Sequence, residues 1–359
     1  MPDPVSEAHR PLQVYLDTNH WHYLAAALAG HPRQHSDVEV LLQLQRLVLH
    51  GAIHLPLSAV HYFEIEETPS DRRRREVADV VLRLSQFRTI APPHLVIEAE
   101  LEQALHELYG HPVVPKPLEI FGFGSGFAMG RHMSGRVESS SGGELSQQQR
   151  VQFEAALRMS VADFEAWANV VAEHWLLVGP NRENANQIPG YNPYGARELV
   201  RTALVGLNVM SANLRNDPDL SRRPKDVIFA RQLADDLYGI FGKVLLRAGL
   251  VGGDYPFQTK EDYTALLLAM PSRIAVAEVQ LAYHRYLRRD WTINDARDMM
   301  SVSVAVPYCD VFVADKQVWD AVVNRTDLSK RFSSVVLRNL AELGDWLTVS
   351  GIGTKGTTT

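Results

Sequence analysis

A chain of 359 residues exceeds the roughly 100 to 200 typical of one compact domain, so two domains, or one domain carrying a large insertion, are expected. An apolar share of 46% and a charged share of 22% argue for a folded globule and against wholesale disorder, collagen-like repeats or a coiled-coil rod. A net charge of -6 argues against a purely electrostatic nucleic-acid binder, and the single Cys309 excludes an internal disulfide and a cysteine-rich zinc site.

No run of about 18 uninterrupted apolar residues occurs, and the first ten residues lack the apolar core of a signal peptide. The expectation is a cytoplasmic protein without a membrane partner.

In chain order, Gln13 to Leu16 is a short β-prone run ending at Asp17, followed by Thr18-Asn19 and a helical pattern from Trp21 to Ala29. A helix from Val38 to His50 leads into a second strand, Ala52 to Leu57, after which Ser58 caps a helix carrying Glu64. Arg72 to Gln86 reads as an amphipathic helix, and Phe87 to Ala91 as a third strand. Repeated alternation of strand and helix predicts a parallel sheet with crossover helices.

From His94 to Asp290 helical periodicity replaces strand signals. Pro- or Gly-rich stretches at Gly110 to Pro117, Phe121 to Gly143 and Gly179 to Tyr194 read as mobile loops, and Pro271 predicts a helix break. Alternation then returns: a helix from Asn294 to Ala305, a strand from Asp310 to Ala314 ending at Asp315, a helix from Lys316 to Val323, a strand near Ser334 to Leu337, and a short last helix. The expected organisation is therefore an α/β domain in two parts, 1–92 and 291–347, interrupted by a mostly helical insertion, 93–290, with a disordered tail, 348–359.

Asp17 and Asp315 each follow a strand, at the carboxyl edge where parallel sheets bind ligands. Glu64 and Asp298 lie on helices that adjoin those strands and can reach the same edge. Carboxylates gathered in this way repel, each pair by roughly 4 kcal/mol at about 4 Å and an effective dielectric near 20, so the cluster calls for a cation. Oxygen ligands without a nearby thiolate select Mg²⁺ or Mn²⁺, and the matching chemistry is metal-assisted phosphodiester hydrolysis.

The segments Val14-Tyr15-Leu16-Asp17-Thr18-Asn19, Ser58 to Glu64, and Asp298 through Asp315-Lys316 resemble the acidic motifs of PIN-domain (PIN-like) nucleases. The resemblance covers about 1–92 and 291–347. It implies a three-layer sandwich around a five-stranded parallel sheet of order 3-2-1-4-5, and Mg²⁺- or Mn²⁺-dependent cleavage, with RNA favoured over DNA. By position it assigns Asp17, Glu64, Asp298 and Asp315 as metal-binding catalytic acids, and Asn19 as a residue orienting the first acid or a metal-bound water. The long helical insertion departs from the small members of that family and leaves substrate choice open. A protein inhibitor or partner also stays open, as does a catalytically silent binding module that docks a protein or nucleic acid through the insertion.

Several residues compete for these roles. Glu67 shares a helix face with Glu64, whereas Glu66 points elsewhere. Asp295 lies one turn from Asp298 and is a secondary candidate. Asp310 starts its strand at the wrong end for catalysis and fits a structural turn, with a reserve role in the site. Arg72, Arg73, Arg74 and Arg75 are candidate phosphate contacts, against the commoner reading of a solvated helix face. His20, His22 and His61 lie near the motifs without a second soft ligand set. Gly122, Gly124 and Gly126 imitate a phosphate loop but lack the Lys-Ser/Thr that must follow, so a flexible loop is expected.

Overall fold

The computed structural model describes residues 10–131, 135–181, 192, 194–250, 255, 257–286 and 290–352. The chain is mixed α/β and mostly helical, built on a four-stranded parallel sheet. Its strands are β1 (Leu12–Leu16), β2 (Ile53–His54), β5 (Val311–Val313) and β6 (Val335–Leu337), in the order β2-β1-β5-β6. The central pair is in register, with Val14 opposite Val311 and Leu16 opposite Val313.

The third expected strand departs from the prediction. β3 (Arg88–Ile90) pairs antiparallel with β4 (Phe121–Phe123) and meets the main sheet at a single parallel bridge between Leu57 and Thr89. Pro56 accounts for this in part, because it has no N–H to donate and pairing beyond β2 is confined to Leu57, which exchanges two hydrogen bonds with Arg88 and Ile90. β4 and the helix α6 (Gly124–Ala128) also replace the loop expected at the start of the glycine-rich stretch. Two of its glycines serve packing there: a Cβ on Gly122 would stand 2.5 Å from the Phe127 ring, and one on Gly124, at φ +81, 2.6 Å from Glu173.

Strand periodicity divides the core. Val14, Leu16, Val311 and Val313 face α1 (Thr18–Leu28), α2 (His35–Leu49), α4 (Asp71–Leu84) and the last helix (Leu340–Val349). Tyr15, Phe312 and Ala314 face the opposite core, which α5 (Pro93–Tyr109) and the helices Gly195–Asn216, Pro271–Tyr286 and Ile293–Tyr308 complete. Most of the helical stretch therefore packs on one face of the sheet and shares its core, while Ala128 and Leu177 join the core of the other face.

Helices begin where local chemistry satisfies their first amides. α3 (Ala59–Glu67) opens with a capping box between Ser58 and His61, and the helix Ile293–Tyr308 with one between Thr292 and Asp295. The break expected at Pro271 separates Lys260–Leu268 from the following helix, at a bend of 104°. No single helix among the described residues is long and apolar enough to cross a membrane. The expected loop from Gly179 to Tyr194 and the expected tail fall largely outside the described residues.

Candidate functional site: an acidic cleft at the carboxyl edge of the sheet

β1 and β5 run parallel and in register, so the residues that follow them emerge side by side; the Asp17 amide donates to the Val313 carbonyl at 2.9 Å. Asp17 sits at the N-cap of α1, and Asp315 caps the short helix Lys316–Trp319 by accepting from the Val318 amide at 2.7 Å. α3 carries Glu64 to the same edge, and the helix Ile293–Tyr308 brings Asp298. All four predicted acids line one cleft of about 220 Å³.

A buried polar joint fixes three of these elements to one another. The Tyr15 hydroxyl on β1 lies 2.7 Å from Ser58 Oγ, at the head of α3, and donates to Ser301 Oγ at 3.1 Å on the helix of Asp298. His61 Nδ1 accepts from the Ser58 amide at 2.8 Å while Nε2 donates to the Leu16 carbonyl at 2.7 Å, one residue before Asp17. Burial lowers the His61 pKa to about 4, so the ring is neutral and serves as a brace.

The cleft is electrostatically strained. Burial, followed by the charges of Glu64 and Asp315, pushes the Asp17 carboxyl up to about 7 against the opposing pull of the Asn19 and Thr18 amides. Burial also raises Glu64, although the nearby Thr18 hydroxyl and the charge of Arg297 work the other way. Asp298 is raised well above the carboxylate range by burial, then by Asp315, Asp17 and Asp295, while the Tyr283 hydroxyl donates to it at 3.3 Å. Asn19 Nδ2 donates to Asp17 Oδ2 at 3.1 Å and orients it. Among the described residues no three His, Cys, Asp or Glu side chains stand close enough, as they are, to hold one ion.

Other candidates lie elsewhere. Asp295 is buried and accepts from the Thr292 amide and hydroxyl, both at 2.7 Å, and from Gln317 at 2.9 Å; it serves as a helix cap and reaches the site through its charge on Asp298. Asp310, at the amino end of β5, accepts two hydrogen bonds from Arg10 and one from the Gln13 amide, the structural role expected of it. In the arginine run, Arg74 is 1% exposed and donates to Asp71 and to the carbonyls of Thr68, Val178 and Pro180, so it is a packing residue and cannot meet a phosphate. Arg72 pairs with Glu76 at 2.7 Å. Arg73 and Arg75 are exposed, and Arg73 helps to lower the pKa of His22 at the cleft, behind burial as the larger cause.

Sequence reasoning missed Arg297. It is buried, lies 3.6 Å from Glu64 and pairs closely with Glu67, which Arg197 also engages at 2.9 Å. Asn294, Arg297 and Asp298 fall at helical spacings of three and four, so the face that turns toward the cleft was readable once Asp298 was chosen. No family model, no curated protein and no solved structure matches the chain.

Proposed function

We propose that the chain is a Mg²⁺- or Mn²⁺-dependent nuclease, acting on RNA, whose reaction centre is this acidic cleft. The observation that carries the proposal is the convergence of Asp17, Glu64, Asp298 and Asp315, drawn from four elements as much as 298 positions apart, on one edge of a parallel sheet. The resemblance of the motifs to PIN-domain nucleases supports the same reading and is the source of the preference for RNA.

The donor set fits a hard divalent cation: every acid offers oxygen, and the only thiol, Cys309, is buried ahead of β5. Asp17, Glu64, Asp298 and Asp315 would hold the ion, which when bound supplies an activated water and neutralises charge on a phosphodiester. Asn19 keeps Asp17 turned toward the cleft, and Arg297 holds Glu64 and Glu67 in place. Arg73 offers an exposed positive charge near the entrance for the phosphate backbone.

Cleavage of end-labelled RNA and DNA with Mn²⁺ or Mg²⁺, run beside Asp17→Asn, tests the proposal. The expected result is metal-dependent cutting of RNA that the variant loses while keeping its fold. Equal turnover by the variant would remove Asp17 from the reaction, and cutting of DNA alone would overturn the choice of substrate.

A second reading is a catalytically silent module, and Arg297 favours it, since a fixed guanidinium already neutralises part of the carboxylate cluster. It predicts no cleavage and no thermal stabilisation by Mn²⁺.

A further inference from the structure

We propose that a second cavity, on the far side of α3 and the helix Ile293–Tyr308 from the acidic cleft, binds a small amphipathic anion: an apolar body bearing one carboxylate, sulfonate or phosphate. The cavity measures about 750 Å³, within the range of about 300 to 1,000 Å³ common for small-molecule sites. Helix geometry separates it from the cleft. On the helix Ile293–Tyr308, Ala296, Met299, Met300 and Ser303 recur at spacings of three and four and line the cavity, whereas Asn294, Arg297 and Asp298 line the cleft. On α3, Ala59 and Phe63 face the cavity, while Glu64 and Glu67 face the cleft.

The lining specifies the chemistry of the occupant. Phe63, Leu207, Val276, Met299 and Met300 make an apolar wall, and the thioethers adapt to more than one ligand shape. Three guanidinium groups, Arg131, Arg231 and Arg273, contribute to the same lining, and no Asp or Glu is among the described residues there. Arg273 already answers the charge of Glu100, whereas Arg131 is exposed at the lining; a cationic ligand would meet like charge there, and a polyanion would have to lay charge against the apolar wall. An apolar body with one anionic head satisfies both halves. Ala203 lines the cavity yet is exposed, which places it at the mouth.

The experiment uses the full-length protein and three probes of equal chain length, decanoate, decylamine and decanol, below their aggregation limits, with displacement of 8-anilinonaphthalene-1-sulfonate as the fluorescence readout. Decanoate is expected to displace the dye and raise the melting temperature, decanol to bind about tenfold more weakly, and decylamine not to bind, a tenfold step being about 1.4 kcal/mol. Ala203→Trp, at an exposed position, should close the mouth and abolish decanoate binding with the circular-dichroism melt unchanged. Arg131→Gln, also exposed, should weaken decanoate several-fold and leave decanol alone. Equal binding of decylamine and decanoate, decanoate binding that survives Ala203→Trp, or no binding by the parent protein would each overturn the proposal. None of these readouts uses nuclease activity, so the inference stands or falls apart from the acidic cleft.

Discussion

Among the described residues, the buried acids on α5 and those of the cleft solve the same electrostatic problem in opposite ways. On α5, Glu98 pairs with Lys243 at 2.9 Å, Arg247 at 2.6 Å and Lys116 at 3.6 Å, and Arg247 also engages Glu102. Burial alone would raise Glu98, yet hydrogen bonds from Lys243 and Arg247 bring its pKa down to about 2. In the cleft, Arg297 pairs with Glu64 and Glu67, and Arg197 with Glu67, yet no such pair reaches Asp17 or Asp298 among the described residues, and Asp17, Glu64 and Asp298 are all pushed up. A neutralised cluster builds the fold. A cluster left short of positive charge is, in the function we propose, where a cation binds, and the difference lies in the partners rather than in burial.

The strongest way to break this comparison is turnover. Asp298→Asn should reduce metal-dependent RNA cleavage by on the order of 10²-fold or more, whereas Glu98→Gln should leave it within a few-fold, as single-turnover rates on a labelled RNA would show. Similar losses in both variants would mean that the clusters do not differ in role.

Next in size is the response to metal. At a Mn²⁺ concentration near 100 times Kd, the parent protein should gain about 2.7 kcal/mol of stability; Glu98→Gln should keep that gain and Asp17→Asn should lose most of it. Differential scanning calorimetry with and without the ion measures this.

The pH dependence of stability separates the clusters by sign. Unfolded carboxylates titrate near 4, whereas folded Asp17 holds its proton to about 7, so between these values the native state binds more protons and metal-free stability falls as pH rises. Glu98 acts the other way: its contribution is complete above the unfolded value near 4 and is lost as pH falls toward about 2. Urea titrations from pH 2 to 8 should show Glu98→Gln destabilised by about 1 to 2 kcal/mol at neutral pH with a flatter acid limb. Asp17→Asn should be stabilised by on the order of 1 kcal/mol at pH 8, with a flatter slope above pH 4. A destabilised Asp17→Asn would contradict the strain assigned to the cleft.

The smallest effect concerns the joint beneath the cleft. Tyr15→Phe removes the hydroxyl that spans Ser58 and Ser301 and should cost about 1 kcal/mol or less at equilibrium. Its kcat should fall a few-fold while KM for RNA holds, because the phenol touches no substrate; a change confined to KM would argue against positioning.

Much of the site was legible because strand ends are strong signals. An apolar run that stops at an acid, twice, placed Asp17 and Asp315 at one edge, and helical spacing then offered Glu64 and Asp298. The same rules could not weigh Arg297, since a charged residue beside Asp298 reads as solvent-facing until its partners on α3 are known. The Thr292-to-Asp295 spacing is itself a capping signature and could have moved Asp295 out of the site from the start. The fate of β3 was illegible for another reason. Three residues of strand carry too little pattern to choose between a parallel and an antiparallel neighbour, and its partner β4 hides in a glycine-rich stretch that reads as loop.

The joint of Tyr15, Ser58, His61 and Ser301 has an evolutionary corollary. Its atoms come from the opening stretch of the chain and from one late helix, so the relative placement of three acids is written into four short side-chain contacts. Insertions and deletions in the loops between Glu67 and Ile293 leave those contacts untouched. A lineage could therefore rebuild the helical layer, and with it whatever that layer recognises, while inheriting the same arrangement of acids.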